Sequence, residues 1–206
     1  MIYGVPEKSK TFGGWVFDIL IAGVGGQGTV LASKILAEAA TESGIFARTG
    51  ETIGMAQRGG SVVSHVRLNS EEKSPIVPLG RADVLIAFEP AEAARNLCRL
   101  KKDGKCLVNT RPIPPVSSSI LQDSYDEKKI REYIEQNSKA VFADASAAAE
   151  CCGNIKALNV VMLAAAAKLG ILPFDPETLR KAMTRILPEK TLEINLKAFD
   201  AGINLF

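Results

Sequence analysis

The sequence contains few of the residues that most small catalytic and metal sites require. Its 206 residues include one histidine, His65, and four cysteines, Cys98, Cys106, Cys151 and Cys152, none in a Cys-x-x-Cys pair. Scattered in this way, they match no ordinary zinc-site spacing, and the cysteines alone cannot hold an iron–sulfur cluster. We therefore predict no metal site in this chain. The cysteine pattern indicates a reduced, cytoplasmic protein rather than a disulfide scaffold.

The sequence also lacks an excess of charge and any long hydrophobic run. Its 25 basic and 23 acidic residues give a net charge of +2, without the clustered basic residues that are typical of nucleic-acid binding. The longest apolar run, residues 160–167, is much shorter than the ~20 residues that span a bilayer. Because the N-terminus has no apolar signal-peptide core either, we expect no nucleic-acid or membrane partner. A hydrophobic content of 47% is that of an ordinary globular domain.

Strand and helix patterns alternate through the first two thirds of the chain. Strands are predicted at 16–22, 45–49, 61–68, 83–88, 105–110 and 140–143, and helices at 29–43, 90–99, 126–137, 155–169, 176–186 and 189–199. This order predicts an α/β fold: a Rossmann-like three-layer sandwich with a mostly parallel sheet and a helical C-terminal tail. We predict an N-terminal arm over residues 1–15 and a single domain over 16–206.

A glycine-rich loop lies directly between the first strand and the first helix. Glycines at such a turn allow a ligand to approach backbone N–H groups at a helix N-terminus, where anions are favoured. They are equally explained by tight packing of the helix on the sheet. A dinucleotide site also needs an acid after the second strand, and Glu51 lies near that place, although it could simply be solvated. The candidate residues are Gly23, Gly25, Gly26, Gln27, Gly28 and Thr29.

A second loop, residues 54–60, combines glycines with two polar side chains. Gln57 and Arg58 precede the pair Gly59 and Gly60, and a guanidinium grips a carboxylate or a phosphate well. We predict a binding or interface role for this loop. His65, in contrast, lies inside a predicted strand, where a single histidine is more often structural than catalytic.

The usual catalytic motifs are missing. The sequence has no nucleophile elbow, P-loop lysine or His-Glu-x-x-His helix. We assign no catalytic residue and no metal ligand to the chain. If it serves an enzyme, the demanding chemistry is expected in another chain.

Three segments in this order carry a family resemblance. Residues 17–28, residues 54–61 with His65-Val-Arg67, and residues 82–87 resemble the gamma-type subunit of 2-oxoacid:ferredoxin oxidoreductases. Within that family the chain is most similar to the branch that acts on indolepyruvate, in which this domain is a separate chain. Asn159 with its alanine-rich helix, and residues 176–179, are also similar to the family.

The resemblance implies a subunit rather than a self-sufficient enzyme. Such complexes convert a 2-oxoacid and coenzyme A into acyl-CoA, carbon dioxide and reduced ferredoxin. Thiamine diphosphate and the iron–sulfur clusters are then expected in a large partner subunit, and ferredoxin interacts through the complex. The glycine loop becomes a coenzyme A or interface loop, and residues 57–60 face the active site. The alternative is a stand-alone NAD- or flavin-binding reductase or binding module.

Overall fold

The structure is a computed structural model that describes residues 15–54, 59–115 and 125–206. The predicted N-terminal arm lies outside the described residues, apart from Trp15. The indole of Trp15 packs edge-on against the ring of Phe17, with 6.2 Å between the ring centroids. In the described part of the chain, no helix is both long and apolar enough to cross a membrane.

The described residues form one sheet and two helical layers. The strands are β1 (Phe17–Val24), β2 (Ala47–Ile53), β3 (Ser61–Leu68), β4 (Ala82–Ala87), β5 (Leu100–Asn109) and β6 (Ala140–Ala143). The helices are α1 (Thr29–Glu42), α2 (Pro90–Asn96), α3 (Glu127–Asn137), α4 (Ala145–Cys151), α5 (Leu158–Lys168), α6 (Pro176–Ile186) and α7 (Glu189–Ile203). Short 3₁₀ turns at Leu97–Arg99 and Ile155–Ala157 precede β5 and α5.

The six strands form a mixed sheet in the order β2-β3-β1-β4-β5-β6. Strands β1, β4, β5 and β6 pair in parallel, whereas β3 runs antiparallel to both β1 and β2. The predicted α/β fold with a mostly parallel sheet and C-terminal helices is thereby confirmed. The antiparallel strand was not predicted.

Apolar side chains alternate between the two faces of the sheet and so create two cores. Ile19 and Ile21 of β1 join a core that also contains residues of α1, α5, α6 and α7. Leu20 and Ala22 point to the opposite side, into a smaller core with Ile134 of α3. This period of two is what a strand covered by helices on both faces requires. It establishes the three-layer sandwich.

Several elements differ in extent from the sequence-based prediction. The predicted strand at 45–49 ends too early, because β2 continues to Ile53. Gly50 has a role inside that strand: a Cβ added there would lie 2.8 Å from Cγ of Pro75. The glycine therefore marks a close approach of two chain segments rather than a turn. Strand β5 likewise begins at Leu100 instead of residue 105, and α4 is an additional helix.

Candidate functional site

The two loops that the sequence analysis selected as candidate sites, residues 23–28 and 54–60, lie on the same side of the sheet. The parallel strands β1 and β4 end there, at Val24 and Ala87, and the antiparallel β3 begins there, at Ser61. We call this side the carboxyl edge. It is the side where open α/β folds place their ligands.

The glycine loop, residues 23–28, turns tightly from β1 into α1. The backbone N–H of Gln27 donates to the carbonyl of Val24 over 3.1 Å, which closes the turn. Gly26 and Gly28 have φ angles of 105° and 80°, which L side chains rarely adopt. Gly26 is exposed, and a Cβ added to it would meet no atom within 4 Å. The loop therefore presents bare backbone beside the N-terminus of α1, an arrangement that suits an anionic group.

The buried side chain of Gln27 supports this loop from the protein interior. Its side chain is only 9% exposed. Its Oε1 accepts from the backbone N–H of Val24, and its Nε2 donates to the carbonyl of Phe88, each over 2.8 Å. Gln27 thus ties the end of β1 to the end of β4, and its amide is already occupied by protein partners.

Gly23 and Thr29 also lie beneath the surface of the loop. A Cβ on Gly23 would come within 2.8 Å of Oε1 of Gln27, and Thr29 is 3% exposed. Of the six candidates, Gly25, Gly26 and Gly28 retain exposure at the edge.

The second loop contacts the first directly. The backbone N–H of Gly25 donates to the carbonyl of Gly60 over 2.8 Å. Gly59 is exposed and has a φ of 69°, and Gly54 donates to the carbonyl of Ser61 over 2.9 Å. Gln57 and Arg58 lie outside the described residues. The structure thus brings Gly25, Gly26, Gly59 and Gly60 to one surface.

A buried carboxylate at the N-cap of α2 connects the loops around this surface. Glu89, 1% exposed, caps the helix by accepting from the backbone N–H of Glu92 over 2.9 Å. It also accepts from the backbone N–H of Ile113, over 3.2 Å, and from the hydroxyl of Tyr125. Burial and the neighbouring Glu89 raise the pKa of Tyr125, so that its hydroxyl remains a donor.

Buried amides extend the same network. Asn109 donates to the carbonyl of Phe88 and to the hydroxyl of Ser146, over 3.0 and 2.9 Å. Asn159, 2% exposed, donates to the carbonyl of Gly28 over 3.2 Å. Sequence reasoning missed the roles of Asn109 and Glu89. The sequence signal that could have indicated Glu89 is an acid immediately before Pro90 at a helix start.

His65 and Cys106 are buried and so are not exposed at this surface. His65 is fully buried: its Nδ1 accepts from the backbone N–H of Val77, and its Nε2 lies 3.3 Å from the hydroxyl of Thr52. Burial, with the cations Arg99 and Arg67, lowers the pKa of His65 to about 4. Burial raises the pKa of Cys106 to about 12, so that thiol is unreactive. Within the described ranges, no three histidine, cysteine or acidic side chains are placed to hold a metal ion.

This α/β sandwich with its glycine-rich loop matches one family along nearly its whole length. The model of the pyruvate ferredoxin/flavodoxin oxidoreductase family covers residues 18–205. The chain belongs to this family.

Two relatives indicate which members of the family the chain is similar to. It is 38% identical over 190 residues to the indolepyruvate oxidoreductase subunit IorB of Pyrococcus horikoshii, covering 91% of this chain and 94% of that protein. It is 39% identical to the subunit of the same name from Archaeoglobus fulgidus, with the same coverage.

Solved structures agree with this assignment. The pyruvate oxidoreductase subunit PORC of Thermotoga maritima superimposes with a TM-score of 0.68 and 25% identity, over 92% of this chain and 96% of that one. The gamma subunit of a keto/oxoacid ferredoxin oxidoreductase from Geobacter sulfurreducens gives 0.65 and 27%, over 91% and 96%. The chain is thus a subunit of a ketoacid:ferredoxin oxidoreductase, and the alternative of a stand-alone reductase is not supported.

Proposed function

We propose that this chain is the small subunit of an indolepyruvate-type oxidoreductase and that its carboxyl edge faces coenzyme A and the partner's active site. The complex would convert an aryl pyruvate and coenzyme A into acyl-CoA and carbon dioxide, with the electrons passing to ferredoxin. The names of the relatives and their coverage support the substrate class. We place the complex in the cytoplasm, in keeping with the cysteine content.

The observation that carries the proposal is the hydrogen bond between Gly25 and Gly60. It joins the two glycine-rich loops into one surface of backbone, in which Gly25, Gly26, Gly59 and Gly60 have no side chains. Such a surface can bind a phosphate-bearing ligand or a protein, whereas it cannot cleave a carbon–carbon bond by itself. We assign Gln57 and Arg58 to the same surface on their sequence position, since the fork of Arg58 suits a phosphate or carboxylate.

The cofactors of the reaction fit the partner better than this chain. The described residues offer no metal-binding cluster, and the four cysteines are spread over 98–152 without ligand spacing. We therefore propose that a large partner subunit holds thiamine diphosphate and the iron–sulfur clusters. The contribution of this chain is to bind and orient coenzyme A and to close the site.

A matched pair of glycine substitutions tests the proposal. Gly59 at the carboxyl edge and Gly80 at the opposite edge are both exposed, have φ angles of 69° and 67°, and leave a Cβ in open space. In the reconstituted complex, Gly59→Ala should raise the KM for coenzyme A about tenfold or weaken assembly, whereas Gly80→Ala should not. Equal kinetics and equal assembly for the two variants would show that the carboxyl edge does not face ligand or partner.

A further inference from the structure

Ser61 is the residue at which both loops of the candidate surface meet. It is paired with Val24, the last residue of β1, and its carbonyl accepts from the N–H of Gly54. Its neighbour Gly60 accepts the hydrogen bond from Gly25. A shift of Ser61 would therefore move Gly60 and, through it, the glycine loop.

The side chain of Ser61 is held by Glu92 on helix α2. The hydroxyl donates to Oε2 of Glu92 over 2.6 Å, and Arg95 pairs with Oε1 of the same carboxylate. Glu92 is 1% exposed and belongs to the first turn of α2, which Glu89 caps. The contact therefore links a loop residue to a firmly anchored helix.

A buried carboxylate at this position requires a physical reason. Removing a carboxylate from water is costly unless it is paired and hydrogen-bonded. Glu92 meets that condition with Ser61 and with Arg95, whose side chain is itself 55% exposed. A charge-assisted hydrogen bond is shorter and stronger than a neutral one, so it fixes Ser61 more tightly than an amide would.

We propose that Glu92 and Ser61 are positioning residues, which hold Gly60 and the N–H of Gly25 in the geometry that the ligand or partner requires. This inference deepens the proposed function and rests on it in one respect, namely that the glycine loop meets coenzyme A or the partner. Neither side chain is assigned to contact the reacting atoms. Their effect passes through the hydrogen bond from Ser61 to Glu92 and the backbone bond from Gly25 to Gly60.

Two measurements on the same variants test this inference. Ser61→Ala removes the donor without adding bulk, Ser61→Thr restores a hydroxyl, and Glu92→Gln keeps the shape but removes the charge. The matched control is Asp83→Asn, which alters a carboxylate paired with Lys101 at the opposite edge. Hydrogen–deuterium exchange of the full chain reports on the Gly25 amide, and steady-state kinetics of the reconstituted complex report on coenzyme A.

We expect Ser61→Ala to speed exchange in residues 23–29 about tenfold and to raise the KM for coenzyme A by about the same factor, with little change in kcat. Glu92→Gln should act in the same direction, Ser61→Thr should restore both values, and Asp83→Asn should change neither. Because Ser61→Ala also takes one hydrogen bond from the buried Glu92, it should lower the midpoint of global unfolding slightly, while Arg95 still pairs with the carboxylate. A rise in KM at unchanged kcat, restored by Ser61→Thr, is the result that a loss of stability alone would not produce.

The outcomes separate this inference from the proposed function. If Ser61→Ala leaves exchange at residues 23–29 unchanged, or if Ser61→Thr fails to restore it, Ser61 is not a positioning residue. If Gly59→Ala impairs the complex while Ser61→Ala does not, the positioning role is wrong and the proposed function stands. If Ser61→Ala speeds exchange but neither variant affects the complex, the loop is held as inferred and its proposed ligand is wrong.

Discussion

The side-chain amide of Asn159 donates to the carbonyl of Gly28, a residue 131 positions earlier in the chain. The bond connects the start of α5 to the end of the glycine loop, so the C-terminal helices help to hold the loop in position. Oδ1 of the same amide accepts from the backbone N–H of Val160 over 2.8 Å. The C-terminal layer thus contributes directly to the geometry of the candidate surface.

Gly28→Ala should destabilise the chain strongly. A Cβ at this position would overlap Nδ2 of the buried Asn159, and the φ of 80° is unfavourable for alanine. We expect a loss of about 3 kcal/mol in the free energy of unfolding, from backbone strain and overpacking together. Urea unfolding of the full chain measures it.

The variant Asn159→Ala provides the control for this steric explanation. Asn159→Ala by itself should lower the free energy of unfolding, since it leaves the carbonyl of Gly28 and the N–H of Val160 without their side-chain partner. In the double variant with Gly28→Ala, the overlap disappears. The combined loss should therefore be smaller than the sum by about 1 kcal/mol or more. Strict additivity would contradict a steric conflict between these two residues.

Gln27→Leu tests whether this glutamine supports the loop from inside. Leucine has a similar size but leaves the N–H of Val24 unpaired and removes one donor from the carbonyl of Phe88. Because an unsatisfied buried group costs about 1–3 kcal/mol, we expect a destabilisation of about 2–3 kcal/mol. Gln136→Leu, on the exposed side of α3, is the comparison. Equal stability of the two variants would mean that the Gln27 bonds contribute little.

The layer architecture could be predicted because it follows from local patterns. Continuous apolar strands such as β1 require cover on both faces, and a glycine cluster at a strand end indicates a tight turn into a helix. Residues 23–29 were placed correctly at that turn. The sequence could not show which of these residues face solvent and which support the loop. The burial of Gln27, for example, depends on its hydrogen bond to Phe88, which follows β4 and lies 61 residues later in the chain.

The strand order shows a second limit of sequence reasoning. Because β3 inserts between β2 and β1, Glu51 on β2 lies two strands away from the glycine loop. The acid of a dinucleotide site is expected on the strand beside the first one. The role of Glu92 was equally hidden, because an acid in a first helical turn is ordinarily explained by the helix dipole.

Asp18 and Arg67 form a buried ion pair at the edge opposite the candidate site. They face each other across β1 and β3, with bonds of 2.9 and 3.2 Å, and are 2% and 1% exposed. Asp18→Asn leaves the guanidinium with a neutral partner and should cost about 3–5 kcal/mol. The exposed Glu72 contacts the same Arg67, and Glu72→Gln should leave stability unchanged. Equal denaturation midpoints for Asp18→Asn and Glu72→Gln would contradict the expected difference in stability.

The isolated chain should not oxidise a 2-oxoacid. Its described residues offer no group of side chains that could hold a metal ion, and the one histidine is fully buried. Purified alone and supplied with indolepyruvate, coenzyme A and thiamine diphosphate, it should give no dye reduction above background, while the reconstituted complex does. Robust turnover by the single chain would show that the division of labour between subunits is wrong.

His65 should make the stability of the chain fall between neutral and mildly acidic pH. Its pKa is lowered to about 4 in the folded protein, first by burial and then by Arg99 and Arg67, against 6.5 for a free histidine. Above pH 6.5 the imidazole is neutral in both states, so it imposes no penalty. As the pH falls from 6.5 to 4, the unfolded chain takes up a proton that the folded chain does not, and stability is lost.

The size of this effect follows from the two pKa values. Each pH unit within the window costs about 1.4 kcal/mol, so the loss between pH 7 and pH 5 should be about 2 kcal/mol. Because the sequence has one histidine, His65→Gln should remove most of this dependence while an amide still accepts from Val77 and donates to Thr52. Urea unfolding of both proteins at pH 7 and pH 5 measures the difference. If wild type and variant lose the same stability between these pH values, His65 is already protonated in the folded chain or does not titrate in this window.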